Sequence, residues 1–293
     1  MTTNDSPVVV GVDGSPGADA ALAWALDEAR SRQASARLVY GFGRDLTYGS
    51  MAIYGNLAVP ELPHVKAIAR RQLAAAATQA QTLAPDVVVT THDYADDAVA
   101  ALLEESEHAS TVALGSRHLG AIGSAVLGSV GAAVSARAAC PVVVVRGPAA
   151  LPAESAAVVV GVAAREDSEA TLAYGFDFAR RRSLPLHAVL CWHLDLLAEM
   201  MWRSEPPAPA RVETWLLEAL AGWREKYPDV EVHSAVVREH PVAGLIAASN
   251  AQHLLVVGTR GRHALAGTLL GSVSQGVLHH ATCPVAVVPS SAG

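Results

Sequence analysis

The sequence predicts an α/β protein built from two similar halves, each with a parallel β-sheet covered by helices on both faces. Residues 127–145 match residues 270–288 without a gap, and residues 8–15 match residues 158–165. Within each half, short apolar runs rich in valine alternate with helical segments. Strands that are apolar along their whole length are typical of parallel sheets buried on both faces, and the repeat indicates a duplicated domain.

The elements of the first half follow one another in a regular order. The run 7–12 predicts the first strand, and the turn after it leads into a helix at 17–33. Ser15 is a favourable N-cap for this helix and Pro16 a favourable first helical residue. The other elements are predicted at 36–42 (strand), 43–63 (loop), 64–83 (helix), 86–92 (strand), 96–108 (helix), 111–114 (strand), 128–138 (helix) and 141–145 (strand).

The second half repeats this order after a short linker. The segment 147–155, with the sequence GPAALPAES, is rich in small residues and proline and separates the copies. The predicted domains are therefore 1–147 and 154–293. Strands of the second domain are predicted near 157–162, 186–192, 229–236, 253–257 and 284–288.

The composition excludes several classes of function. A net charge of −7 without a basic stripe argues against binding to nucleic acid. No apolar run approaches the ~18 residues that a membrane-spanning helix needs, and the N-terminal segment MTTNDSP lacks the features of a signal peptide. The three cysteines lie far apart without a CxxC pair, which predicts a cytoplasmic protein without a structural metal. Cys140 and Cys283, at matching positions, are expected to be small core residues.

A glycine-rich loop follows the fourth predicted strand of each half. The two loops read GSRHLGAIGSAVLGS at 115–129 and GTRGRHALAGTLLGS at 258–272. A glycine directly after a strand can take positive φ, and a Gly-Ser pair that opens a helix offers N–H groups and the positive end of a helix dipole. Ligands on such sheets bind at the carboxyl ends of strands where the strand order reverses. The loops therefore predict phosphate binding; the alternative is that the glycines only form tight turns and Ser272 only caps a helix.

The pattern Gly-x2-Gly-x9-Gly-Ser after the fourth strand, with Asp13 at the end of the first, resembles that of the universal stress proteins. The resemblance covers essentially the whole chain and is to the tandem, two-domain members of that family. It implies two flavodoxin-like (adenine nucleotide alpha hydrolase-like) five-stranded parallel sheets. It also implies ATP at the switch between the first and fourth strands, with Mg²⁺ carried on the phosphates.

Carried over by position, the resemblance gives a set of ATP-binding residues and a function. The residues are Asp13, Gly115, His118, Gly128, Ser129, Val130, Gly258, Gly261, Gly271, Ser272 and Val273. The implied function is that of a cytoplasmic stress-response sensor or regulator rather than an enzyme. The expected partners are ATP and either a second copy of the chain, as a homodimer, or a regulatory protein.

Each half departs from the pattern at one position. His118 stands at the second glycine of the first half, with Gly120 two residues later, and Ala163 stands where the second half should carry the aspartate. Loss of a charged acceptor costs roughly 1.5–3 kcal/mol, or about ten- to a hundredfold in affinity. We expect His118 to weaken binding in the first half; the alternative is that it donates a hydrogen bond to a phosphate. Cys191 either borders the adenine side of the second site or is a core residue.

Two other functions are consistent with the sequence. No Asp or Glu lies within 115–129 or 258–272, so efficient ATP hydrolysis is not expected, and no P-loop motif is present. A slow ATPase would need Asp13, Glu166 or Asp167 as its base. A scaffold with two empty sites, acting through protein contacts, is the third possibility.

Overall fold

The computed structural model describes residues 6–43, 62–118, 125–146, 156–163, 168–192, 209–259 and 270–290. The chain divides into two compact units, Met1–Ala150 and Leu151–Gly293. We call them the N-terminal unit and the C-terminal unit.

The N-terminal unit is a parallel sheet with helices packed on it. Its elements are β1 (Val8–Gly11), α1 (Pro16–Arg32), β2 (Ala36–Gly41), α2 (Leu62–Leu83), β3 (Val89–Tyr94), α3 (Ala98–Ser106), β4 (Thr111–Gly115), β5 (Arg117–His118), β6 (Ala125–Val126), α4 (Ser129–Arg137) and β7 (Val142–Val145). Within the described residues, five parallel strands form the order β3-β2-β1-β4-β7. The order reverses between β1 and β4, so the carboxyl ends of these two strands flank a crevice.

The C-terminal unit repeats this architecture. Its elements are β8 (Val158–Gly161), α5 (Glu169–Arg182), β9 (Leu186–Cys191), α6 (Pro209–Lys226), β10 (Val232–Val237), α7 (Pro241–Ser249), β11 (Leu254–Gly258), α8 (Ser272–His280) and β12 (Val285–Val288). The described strands are parallel in the order β10-β9-β8-β11-β12. The predicted fold class, two α/β units with parallel five-stranded sheets, is confirmed.

Four strands are buried almost completely, because helices cover both faces of each sheet. The valines of β1, β7, β8 and β12 are almost completely buried, which is why these strands read as continuous apolar runs. Cys140 and Cys283, each just before the last strand of its unit, are buried as predicted. Burial raises the pKa of the Cys140 thiol to about 12.

Helix α1 begins and ends where local chemistry predicts. Ser15 is the N-cap, and its hydroxyl accepts a hydrogen bond from the N–H of Ala18 at 3.2 Å, with Pro16 at the first helical position. At the other end, Gln33 adopts a left-handed conformation with φ of 55°, and its N–H caps the last carbonyls. The prediction of Ser15 and Pro16 as the helix start is confirmed.

Strand β3 is displaced from its predicted position at 86–92. The chain turns at residues 84–87, where the N–H of Val87 donates to the carbonyl of Ala84, and Val88 is exposed. The strand therefore begins only at Val89 and continues through polar residues to Tyr94. Because β3 is an edge strand with exposed side chains, its position does not coincide with the apolar run. Strand β10 shows the same displacement in the C-terminal unit.

None of the helices in the described parts of the chain combines the length and the apolarity needed to cross a membrane.

Candidate functional site

A cleft of about 140 Å³ opens at the carboxyl ends of β1 and β4 in the N-terminal unit. It is lined by Gly11, Val12, Asp13, Ser15, Ala18, Val39, Tyr40, Gly41, Ala98, Leu102, Leu114, Gly115, Gly128, Val130 and Gly131. Four of the predicted site residues, Asp13, Gly115, Gly128 and Val130, thus line one cleft. Ser129 begins helix α4 between two of them, and its side chain is exposed.

Asp13 is held at the rim of this cleft by the turn that follows β1. Its Oδ1 accepts a hydrogen bond from the N–H of Ser15 at 2.9 Å, and its side chain is exposed. Gly14, between them, has a φ of 76°, which glycine adopts without strain. The turn therefore fixes the position of the carboxylate before α1 begins.

The first turn of α4 supplies backbone donors on the other side of the cleft. Gly128 is the N-cap, with φ of −66° and ψ of 159°, and no side chain caps this end within the described residues. The first helical hydrogen bond runs from the N–H of Ala132 to the carbonyl of Gly128 at 3.0 Å. The preceding N–H groups lie at the positive end of the helix dipole, where an anion is stabilised.

A glycine is required at position 115 for a different reason from the one that the sequence suggests. The positive-φ glycines in the described part of the chain are Gly14 and Gly43, so Gly115 does not need a left-handed conformation. Instead, a Cβ on Gly115 would collide with the backbone of Gly17 and lie 2.7 Å from the N atom of Ala18. The glycine lets the end of β4 approach the first turn of α1, while it also lines the cleft.

His118 lies in a short antiparallel ladder rather than in a tight turn. Its backbone, in β5, pairs with Ala125 of β6. A histidine is compatible with this extended conformation, which the sequence did not predict. Gly120 lies outside the described residues.

The C-terminal unit presents an incomplete version of this arrangement. Gly271 is the N-cap of α8, again without a capping side chain among the described residues, and Ser272 and Val273 form its first turn. After β8, Ala163 stands at the position of Asp13, and its N–H donates to the hydroxyl of Ser168 at 3.1 Å. Glu166 and Asp167, the other two candidate bases, lie outside the described residues. Gly258, predicted to begin the loop, is the last residue of β11. Gly261 lies outside the described residues.

A buried carboxylate on α3 was missed by the sequence analysis. Glu105 accepts hydrogen bonds from Arg37 at 2.7 Å and from the hydroxyl of Tyr94 at 2.8 Å, and Nδ1 of His92 lies 3.1 Å from its Oε1. Burial acts to raise the pKa of Glu105, but Arg37 and Tyr94 outweigh it, and the pKa lies below its ordinary value. Burial and the contact with Glu105 raise the pKa of Tyr94 to about 12.

This cluster does not belong to the cleft. Helix α3 begins beside the cleft at Ala98, and Glu105 lies in its last turn. The signal in the sequence is an arginine inside an otherwise apolar strand, at position 37, which requires an acidic partner when it is partly buried. We interpret the cluster as an anchor of α3 on β2 and β3.

Comparisons with known proteins agree with the fold and the duplication. The model of the universal stress protein family matches the chain twice, over residues 6–146 and 156–289. Universal stress protein Rv2005c of Mycobacterium tuberculosis is 35% identical over 297 residues, which cover 97% of each chain. Universal stress protein Rv2623 of the same organism is 32% identical, covering 97% of this chain and 96% of the relative.

Among solved structures, a universal stress protein from Archaeoglobus fulgidus DSM 4304 is similar over 98% of this chain and 99% of its own. The TM-score is 0.73 at 17% sequence identity. At this level of identity the likeness concerns the fold.

Proposed function

The chain belongs to the universal stress protein family, and on this premise we propose that its N-terminal unit binds ATP in the cleft between β1 and β4. We further propose that the protein is a cytoplasmic stress-response sensor or regulator, which responds to the nucleotide through a partner protein or a second copy of the chain. One observation carries the proposal. Asp13 and the uncapped first turn of α4 line the same cleft at the switch of strand order.

The residues of the cleft suit the three parts of the nucleotide. We assign the ribose hydroxyls to Oδ2 of Asp13, because Oδ1 already accepts the N–H of Ser15. The phosphates fit the first turn of α4, whose N–H groups favour an anion. Apolar side chains, among them Val39 and Leu102, offer a surface for adenine. Mg²⁺ would be carried on the phosphates.

Binding rather than hydrolysis is the role that this site supports. Asp13 is the one carboxylate among the described residues that line the cleft, and it is assigned to the ribose. The two glycine-rich loops contain no Asp or Glu. A general base for activating water would have to be within hydrogen-bond reach of the γ-phosphate side. We therefore expect turnover close to the spontaneous rate.

The proposal is tested by quantifying bound nucleotide. The protein is purified without added nucleotide and denatured, and the released adenine nucleotide is measured per chain. Asp13→Ala should weaken ATP binding by about ten- to a hundredfold, because a charged acceptor is lost. Asp229→Ala, which removes an exposed carboxylate in the other unit, is the matched control and should leave binding unchanged.

The opposite result has a definite meaning. If no nucleotide is released, and millimolar ATP does not shift the melting temperature, the ATP proposal is wrong. The chain would then act as a scaffold through protein contacts.

A further inference from the structure

The two units can be compared position by position. Adding 150 to the residue numbers of β1 and β2 gives the bounds of β8 and β9. From β3 onward the elements coincide after an offset of 143, and the bounds of α3 and α4 are those of α7 and α8. Each residue that lines the N-terminal cleft therefore has a defined counterpart in the C-terminal unit.

On this basis we infer that the C-terminal unit fills its own cleft with side chains, so that the chain binds one nucleotide, in the N-terminal unit. The inference rests on the proposed function for the identity of the ligand. It assigns Ser274, Cys191 and Ala163 as the residues that distinguish the two sites.

Ser274 occupies the phosphate side of the C-terminal cleft. Its counterpart is Gly131, which lines the N-terminal cleft without a side chain. The Ser274 side chain is buried, and its hydroxyl donates to the carbonyl of Gly258 at 2.5 Å. Gly258 is the counterpart of Gly115, another residue of the N-terminal cleft. The hydroxyl therefore bonds Ser274 to Gly258, whose counterparts, Gly131 and Gly115, both line the open cleft of the N-terminal unit.

Cys191 stands at the position that corresponds to the adenine side of the N-terminal cleft. Its counterpart, Gly41, lines the N-terminal cleft and needs to be glycine, because a Cβ there would lie 2.6 Å from the Cα of Ala98. In the C-terminal unit the thiol packs against α7, where a Cβ on Gly244 would lie 2.7 Å from its Sγ. Gly244 is the counterpart of the buried Ala101, so the thiol takes the core space that the Ala101 methyl fills in the N-terminal unit. Burial raises the pKa of Cys191 to about 11, so the thiol is neutral in this position.

The turn after β8 is also changed. Ala163 replaces Asp13, and its N–H is bound by Ser168, the counterpart of Ala18 in the lining of the N-terminal cleft. The side chain that we assign to the ribose in the N-terminal unit is thus absent at Ala163, and Ser168 binds the backbone of the turn instead. The three changes differ in kind. Ser274 adds a buried side chain at a lining position, Cys191 replaces a lining glycine and packs against α7, and Ala163 removes the carboxylate.

The test transfers the N-terminal residues into the C-terminal unit of the full chain. We call the variant Ala163→Asp/Cys191→Gly/Gly244→Ala/Ser274→Gly the opened variant; the Gly244→Ala change fills the space that the thiol leaves. ATP bound per chain is measured by equilibrium dialysis for the wild type, the opened variant and each of them with Asp13→Ala. We expect one ATP site for the wild type and two for the opened variant. In each background Asp13→Ala should weaken one site by about ten- to a hundredfold, which leaves only weak binding in the wild type and one strong site in the opened variant.

These outcomes separate the inference from the proposed function. The inference is overturned if the wild type binds two nucleotides, or if it binds one whose affinity is unchanged by Asp13→Ala. An opened variant that binds no more ATP than the wild type also overturns it. A wild type that binds none, with an opened variant that binds one, overturns the proposed N-terminal site, and with it the count of one nucleotide per chain. The inference that side chains close the C-terminal cleft is then still supported.

A second variant covers the case in which the opened variant does not fold. Gly131→Ser places the C-terminal side chain in the N-terminal cleft, where its Cβ would meet only the side chain of Leu127, at 3.0 Å. We expect ATP affinity to fall by about ten- to a hundredfold, with circular dichroism unchanged. Unchanged affinity would overturn the assignment of this position.

Discussion

At the scale of single residues, Glu105 shows how one buried charge couples stability to pH. The carboxylate is almost completely buried and is bound by Arg37 and Tyr94. Because these partners hold its folded-state pKa below that of the unfolded chain, the ionised form stabilises the native state. This contribution is fully present above the ordinary pKa of 4.5 and is lost as the pH falls through the lower folded-state pKa.

Glu105→Gln should therefore lower the free energy of unfolding at neutral pH by about 1–3 kcal/mol, because it leaves the buried donors with a weaker acceptor. Urea unfolding curves, measured from neutral pH down to about pH 3.5, should show the difference from wild type shrinking as Glu105 is protonated. Glu107→Gln, on an exposed carboxylate nearby, is the control and should have little effect. A difference that stays constant with pH would contradict the role of the charge.

At the scale of elements, the contact between α1 and β4 depends on a pair of glycines. A Cβ on Gly115 would collide with Gly17, and a Cβ on Gly17 would collide with the carbonyl of Ser116. Both obstacles are backbone atoms, which cannot rotate away as a side chain can. Gly115, at the end of β4, thus positions helix α1, which begins beside Asp13.

We expect Gly115→Ala to destabilise the protein by about 1–3 kcal/mol or more, because the helix must move away from the strand. Gly222→Ala in α6 is the matched control. An added Cβ there meets nothing within 4 Å, so this change should stabilise the helix by about 0.5–1 kcal/mol. Thermal unfolding of both variants checks the prediction; equal effects of the two substitutions would show that the close approach is unimportant.

The elements also show which features of the fold can be predicted from the sequence alone. The repeat and the valine-rich runs predicted the order of the elements and the position of the cleft, because both follow from local pattern and from general rules of parallel sheets. The bounds of β3 were displaced, because an edge strand is selected by its pairing with β2 rather than by apolar residues. The thiol of Cys191 and the space beside Gly244 could not be matched from the sequence, because they lie on different elements that only the fold brings together.

At the scale of the whole molecule, duplication has preserved the framework of the two units while their clefts have diverged. The buried valines of β1 and β8 are identical, and the glycines that open α4 and α8 are both retained. Changes in the lining residues add side chains at two positions and remove the carboxylate at a third. Under the proposed function, we therefore expect the N-terminal unit to bind a nucleotide and the C-terminal unit to remain closed.

This difference predicts an unequal response of the full-length chain to ATP. Hydrogen–deuterium exchange should slow in the first turn of α4, because its amides would donate to the phosphates. It should also slow in the turn after β1, because binding through Asp13 stabilises the unit by about 2.7 kcal/mol at a hundredfold excess over Kd. The first turn of α8 should be unaffected. At the same ATP concentration Asp13→Ala should reduce the protection, whereas the opened variant should extend it to α8. Equal protection of both helices in the wild type would mean that the C-terminal cleft admits the nucleotide despite Ser274 and Cys191.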